Sequence, residues 1–326
     1  MSRLTLVLLL CAAIALPALA AEPTYPCFRA SQAPAIDGVV LDDPAWEDVP
    51  GVTGFYALGG DYTVAKQSTA RACWDDANLY VSVVCEEPDI AAIKPLMRDG
   101  DGLWSEESVE FFVEPIRNGA IYQIVVNTGG ARTFGTDTPF VEGLRAAAHR
   151  GEAHYSVELA IPLAGIEADL HADQWHVAFC RNIWTYTSGG DKFTCWPALR
   201  SQFREPASFA LLQVSDGVAS PQRCAAAERA LNADYRTHLV AQVQALTQAA
   251  DDYLPVLRRA ARDQAYPLRA EARETVMTWW RVLRLAEGAG DAPMGELREA
   301  ASIANELRER SHNLKYAYLI EVLLEG

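Results

Sequence analysis

The chain is poor in the signatures that mark common enzymes and cofactor proteins. No Cys-x-x-Cys pair occurs, which leaves zinc ribbons and dithiol redox sites without ligands. The histidines, His149, His154, His171, His176, His238 and His312, form no His-Glu-x-x-His and no other familiar metal spacing. A Gly-x-Ser-x-Gly elbow, a Walker loop and a Gly-x-Gly-x-x-Gly turn after a strand are all missing. Carboxylates are plentiful enough for a glycosidase-like pair, but nothing marks two of them as acid and nucleophile. The reading is therefore of a protein that is not an enzyme. Positive charge is scarce, with 28 Lys and Arg against 43 Asp and Glu, for a net charge of −15. That balance argues against nucleic acid and anionic membranes as partners. It suits a neutral ligand, a bound cation, or plain solubility. No internal repeat and no low-complexity tract is present.

Long apolar runs are also few. Residues 4–16 are nearly all apolar, follow Arg3, and lead to Pro17 and Ala18-Leu19-Ala20. A positive start, a short apolar core and a small-x-small site predict a secretion signal cleaved before Ala21. Nothing later approaches membrane-spanning length, so no transmembrane segment is expected. The predicted location is periplasmic or extracellular. Beyond the leader stand Cys27, Cys73, Cys85, Cys180, Cys195 and Cys224. An even count in an exported chain allows up to three disulfides, with a connectivity that spacing does not select.

Two periods divide the remainder. Across residues 28–214, short runs alternate apolar and polar side chains and are rich in Val, Ile, Tyr and Phe. Runs at 79–85, 108–114, 121–127, 155–161, 175–183 and 209–214 are separated by turns such as 99–102, Gly129-Gly130 and 188–191. Roughly nine or ten strands without intervening helices predict an all-β, mostly antiparallel sandwich. After Pro221 the spacing becomes helical, as in Leu231, Tyr235, Leu239, Val243 and Leu246. Pro255 and Pro267 are expected to interrupt or restart helices. A last stripe runs from Leu297 through Ala301, Ala304, Leu307, Ser311 and Leu314 to Tyr318. A small C-terminal α-helical bundle of roughly three or four helices follows. The division is 1–20 signal peptide, 21–216 β-sandwich and 217–326 helical domain. The short junction near 215–222 predicts docking, not loose tethering. One of Trp279 and Trp280 is expected in the bundle core.

A sugar presents apolar C–H faces that stack on aromatic rings and hydroxyls that need directional partners. The β region holds Trp46, Trp74, Trp104, Trp175, Trp184 and Trp196. Trp46, Trp74 and Trp175 sit in apolar surroundings and read as core. Trp104 follows the turn Asp99-Gly100-Asp101-Gly102 and precedes the acidic run 108–114, a junction where an indole can be exposed. In that run Glu110, Phe112 and Glu114 share the face opposite Val109, Phe111 and Val113. Gln123 and Asn127 share a face of the next run. These polar residues either line one concave surface or face plain solvent. Trp196, before Pro197, is either a site residue or a core tryptophan that closes the sandwich.

Taken in order, several segments resemble carbohydrate-binding module family 9. They are IDGVVLDDPAW (36–46), ARACWDDANLYVSVVC (70–85), WSEESVEFFVEP (104–115), YQIVVN (122–127), YSVELAIPL (155–163) and the Trp-Pro at 196–197. The resemblance spans residues 27–214 and implies a β-sandwich that clamps a sugar ring between two tryptophans. Position by position it implies Trp104 and Trp196 as the clamp, Glu110 as the carboxylate and Gln123 as its amide partner. An arginine that the family can carry two residues after that amide is Val125 here; Arg181 or Asn182 is the candidate substitute. The partner so implied is an oligo- or polysaccharide. No cofactor is expected, apart from structural calcium, for which Asp37, Asp42 and Asp43 offer oxygens that fit turns equally well. Two alternatives remain. The helical domain can act as a scaffold for a protein partner or for self-association. A related sandwich can also hold a b-type haem, for which Met97, Lys94 and Lys192 are the candidate ligands.

Overall fold

A computed structural model describes residues 22–60, 62–168, 174–185 and 191–325. The predicted leader and the turn at Gly189-Gly190 lie outside the described residues, as does His171.

The β region contains twelve strands among the described residues. They are β1 (Thr24–Arg29), β2 (Tyr56–Ala57), β3 (Ser68–Trp74), β4 (Asn78–Glu86), β5 (Ser108–Glu114), β6 (Tyr122–Asn127), β7 (Arg132–Phe134), β8 (Arg145–Arg150), β9 (His154–Pro162), β10 (Gln174–Asn182), β11 (Phe193–Trp196) and β12 (Ala210–Val218). One hydrogen-bonded path runs β7-β6-β5-β10-β12-β1-β3-β4-β9-β8. Pairing is antiparallel except where β1 lies parallel to β12 and to β3. The path is open and doubles back over a single core. Val109, Phe111 and Phe179 from one half meet Val81, Val83, Val157 and Leu159 from the other. Alternation builds this core, because each strand sends every second side chain inward. Trp74 and Trp175 join it, and Trp46 is buried in a satellite cluster, as their apolar surroundings predict.

Five helices follow: α1 (Pro221–Leu231), α2 (Ala233–Ala260), α3 (Arg269–Glu287), α4 (Met294–Ser302) and α5 (Ala304–Glu325). The Ser220 side chain accepts from the Arg223 amide and Pro221 takes the first helical position, which starts α1 where the period changes. The count exceeds the expected three or four for two reasons. Asn232 breaks the first helical run, and its side chain bonds the β region instead, accepting from Thr53 N at 2.8 Å and donating to Gly51 O at 2.9 Å. Ile303 divides the last stripe between α4 and α5. Pro255 does not interrupt its helix: it lies inside α2, flanked by buried Leu254, Val256 and Leu257, whose packing outweighs a lost backbone bond. Trp279 is fully buried among Leu246, Leu257, Leu307 and Leu314, and its Nε1 donates to Ser311 Oγ at 2.8 Å. Trp280 is half-exposed, with the Arg258 guanidinium 4.5 Å above its ring.

The helices pack directly on the sheet. Glu228 accepts from Gly51 N at 2.8 Å, and Arg298 pairs with Glu86. Gly54, at φ +81°, lies under Tyr235, and a Cβ there would fall 2.6 Å from the Tyr235 Cβ and 2.7 Å from its ring Cγ. Only glycine satisfies both the backbone angle and the approach. No helix among the described residues is long and apolar enough to cross a membrane.

Candidate functional site

The site grows from three adjacent strands. In the β5–β10 pair Glu110 stands opposite Cys180, and in the β5–β6 pair Phe112 stands opposite Gln123. Gln123 and Asn182 are therefore diagonal neighbours of Glu110 on one face, within reach of its carboxylate. Gln123 Nε2 donates to Glu110 Oε2 at 2.7 Å, and Asn182 Nδ2 donates to Oε1 at 2.8 Å. Asn182 also donates to Ser108 Oγ at 3.0 Å. Gly135 gives Gln123 room, since a Cβ there would sit 1.9 Å from Gln123 Oε1. Glu110 is only 3% exposed. Burial pushes its carboxyl above the usual range, and the two amide donors pull partly back. Three of the expected site residues thus form one hydrogen-bonded floor.

Two tryptophans stand beside this floor. Trp104 lies on the short 3-10 turn Leu103–Ser105 that leads into β5, and it is 42% exposed. Its ring rests against Gly102, where a Cβ would come within 3.3 Å. Trp184 stands two residues beyond the end of β10 and is also 42% exposed. Trp184 Nε1 donates to the Trp104 carbonyl at 3.1 Å, which ties the two arms together. Lys192 Nζ lies 4.7 Å from the centre of the Trp184 ring, and the edge of Phe193 meets it at 6.3 Å. A cavity of about 370 Å³ opens next to Trp184, bounded also by Ile93, Lys94, Pro95, Glu106 and Thr185.

Trp196 does not belong to this group. It is 7% exposed, and its ring packs 6.0 Å from Phe179 and 6.4 Å from Tyr25 in the core. The reason is parity. On β11, Trp196 pairs with Phe179, whose side chain points inward, whereas Phe193 pairs with Asn182, which points outward. The core alternative for Trp196 holds, and its role as a clamp is corrected. The signal for Trp184 was present in the sequence: it stands two residues after Asn182 and so projects to the same side.

Val125 is buried between Glu110 and Thr133 in the register, so no cation occupies its place. Arg181 does not replace it, because it faces the opposite side of β10. Asn182 does reach the floor. Asp37 accepts from Val39 N, and Asp43 accepts from Ala45 N and Ala35 N, so both oxygens of Asp43 close turns. Among the described residues no three His, Cys, Asp or Glu side chains converge as a metal site. The six cysteines are separate buried thiols, with no disulfide joining them. Met97 lies in the loop that Glu106 and Asn127 hold, its carbonyl accepting from Asn127 at 3.1 Å.

A family model described as "Carbohydrate family 9 binding domain-like" matches residues 36–215. An endo-1,4-beta-xylanase A from Thermotoga neapolitana is 30% identical over 137 residues, which is 39% of this chain and 12% of the xylanase. The chain thus spans about an eighth of that relative's length. Among solved structures, a carbohydrate binding module family 9 from Caldicellulosiruptor kristjanssonii in complex with cellotriose matches at 18% identity and a TM-score of 0.45. That match covers 61% of this chain and 96% of the other. Its complex with glucose gives 18% and 0.45, over 59% and 96%. A putative carbohydrate-binding protein from Bacteroides uniformis gives 14% and 0.47, over 60% and 100%.

Proposed function

The chain belongs to the carbohydrate family 9 binding domain-like family, and from that premise we propose that it binds a sugar ring between Trp104 and Trp184, above Glu110, Gln123 and Asn182. The observation that carries this reading is the pair of half-exposed indoles, with the Trp184 N–H donating to the Trp104 backbone carbonyl, beside a buried carboxylate. Indoles left open to water forgo burial that sheets normally gain, and flat faces of that kind suit sugar C–H surfaces. The carboxylate and the two amides supply fixed acceptors and donors for hydroxyls. Stacking of this sort contributes about 1–3 kcal/mol per ring, by analogy with bases on aromatics, so a single sugar binds in roughly the μM to mM range.

The protein acts without catalysis, on an oligo- or polysaccharide outside the cytoplasm, after removal of residues 1–20. Residues 21–216 hold the sugar, and residues 217–326 form a helical domain docked against them. Calorimetric titration with glucose, cellotriose and xylo-oligosaccharides tests this directly. The expected result is binding that Trp104→Ala and Trp184→Ala each weaken by about tenfold or more. No new reducing ends should appear on incubation with cellulose or xylan. Wild-type affinity in both variants, or no binding by the wild-type protein, overturns the reading.

One feature favours a second role, for the helical domain. Exposed Met277 and half-exposed Trp280 border a cavity of about 580 Å³ on that domain. An apolar surface of this kind suits a protein partner or a second copy. Light scattering of the wild-type chain and of Met277→Lys tests self-association there: a mass that exceeds one chain and falls in the variant supports it.

A further inference from the structure

Beneath the sugar floor lies a buried group of charges that the floor itself does not use, of which Glu107 also lines the cavity beside Trp184. Arg181 directly precedes Asn182 on β10, so it points to the opposite face, into the sandwich interior, where it is fully buried. Its Nη2 lies 3.0 Å from Glu87 and 3.4 Å from Glu107. Nε donates to the Tyr155 hydroxyl at 3.1 Å, and Nη1 donates to the carbonyls of Glu86 at 2.9 Å and Lys66 at 3.3 Å. Lys66 Nζ stands 2.6 Å from Glu87. Charges removed from water carry a large desolvation cost, and pairing seldom returns more than that cost. Apolar side chains of similar volume often serve as well or better, so stability by itself does not account for this group.

The carboxylates show where that role lies. Glu107 Oε1 faces Arg181, while its Oε2 accepts the backbone N–H of Trp184. Glu87 Oε2 accepts both Arg181 and the Thr185 hydroxyl, the latter at 2.8 Å. Trp184 and Thr185, consecutive residues just beyond β10, are thus each fastened by a carboxylate that one arginine holds. Glu107 is also three residues after Trp104, between the turn that carries that indole and the start of β5. One side chain therefore sets the spacing of both arms.

We infer that Glu107, held by Arg181, is a positioning residue that fixes Trp184 opposite Trp104. The inference rests on the proposed sugar site. It requires no contact between Glu107 and the sugar. The hydrogen bond to the Trp184 backbone governs where the indole sits, and the ion pair governs where Glu107 sits. A charge-bearing group in the interior has only a few satisfied orientations, so it holds a surface arm more rigidly than apolar packing does.

The test uses the full chain, with cellotriose as probe and acrylamide quenching of tryptophan emission as a second readout. The Trp184→Phe protein supplies the Trp184 share of the emission by difference. Glu107→Ala should raise Kd by about tenfold and make the Trp184 emission easier to quench, because it removes a hydrogen bond to a charged acceptor. Glu107→Gln has one oxygen for two donors, and turning it to the Trp184 N–H sets its NH2 against Arg181, so it should recover only part of the affinity. Leu159→Ala, a core change on β9 away from both arms, should lower Tm while leaving Kd and quenching unchanged. Glu107→Ala with wild-type Kd and quenching overturns the inference. So does Leu159→Ala moving both readouts as far as Glu107→Ala. If the wild-type protein binds no cellotriose, the sugar reading fails, and the quenching difference still decides whether Glu107 positions Trp184.

Discussion

The two regions of the molecule bury different things. The β region hides Lys66, Glu87, Glu107, Glu110, Glu158 and Arg181 from water. The described residues of the helical region bury two polar side chains, Thr275 and Ser311, and otherwise pack Leu, Val, Ala and aromatics. Both hydroxyls there find partners at no charge cost: Ser311 donates to Leu307 O at 2.6 Å, and Thr275 donates to Glu271 O at 2.8 Å. The helical region thus resembles a core optimised for packing. The β region buries charge, much of it beside two half-exposed indoles. Sites that must bind are commonly strained in this way and stabilised from elsewhere.

The comparison is most sharply tested by its tryptophans. Trp279→Ala and Trp196→Ala each remove a buried indole, and each should cost about 3–5 kcal/mol in denaturant unfolding. Trp196→Ala, if folded at low temperature, should still bind sugar, since that ring lies in the core. Trp280→Ala should shift stability by less than about 1 kcal/mol, as expected for a half-exposed ring with one cation above it. Equal losses at Trp279 and Trp280 would dissolve the distinction between core and surface in the bundle.

Smaller effects follow from Glu110. Its carboxyl titrates above the ordinary value of 4.5, chiefly through burial. On acidification it takes up a proton earlier than a free glutamate does. One oxygen then becomes a donor facing an amide N–H, so the bond from Gln123 or Asn182 is lost. Sugar affinity should fall as the pH drops through a midpoint above 4.5. Stability at this group moves the other way. A raised folded value means that the native state binds the proton more tightly, so protonation across that window favours folding and loss of the proton disfavours it. Calorimetric affinities and melting temperatures over a pH series check both directions. A midpoint at or below the ordinary value would remove Glu110 from the floor.

The smallest expected change concerns the contact between regions. Arg298 and Glu86 are partly exposed, so Arg298→Ala should cost no more than about 1 kcal/mol, and less at high salt. The tethers from Asn232 to Gly51 and Thr53 would remain. Separate melting transitions in the variant would show that this one pair holds the regions together.

Much of this was legible in the linear chain. Alternation over residues 108–114 and 121–127 gave the faces of β5 and β6, while the pairing of Glu110 with Gln123 was implied by the family resemblance. The same rule applied from Asn182 would have reached Trp184. The order of the family-like segments points to Trp196 instead, because order carries no information on parity. Pro255 misled because a single residue rule ignores the packing on each side of it. The buried Arg181 group had no sequence mark, since Lys66 precedes β3, Glu87 follows β4, Glu107 precedes β5, Tyr155 lies on β9 and Arg181 on β10, brought together only across the sandwich.

Local order decided which segments are strand and which are helix, because side-chain period and turn residues act over a few positions. It also decided which side chains share a face. Which indoles remain open to water, and which charges are buried beneath them, depended on how the sheet doubles back on itself. Burial is a property of what lies opposite, and only the folded chain sets that.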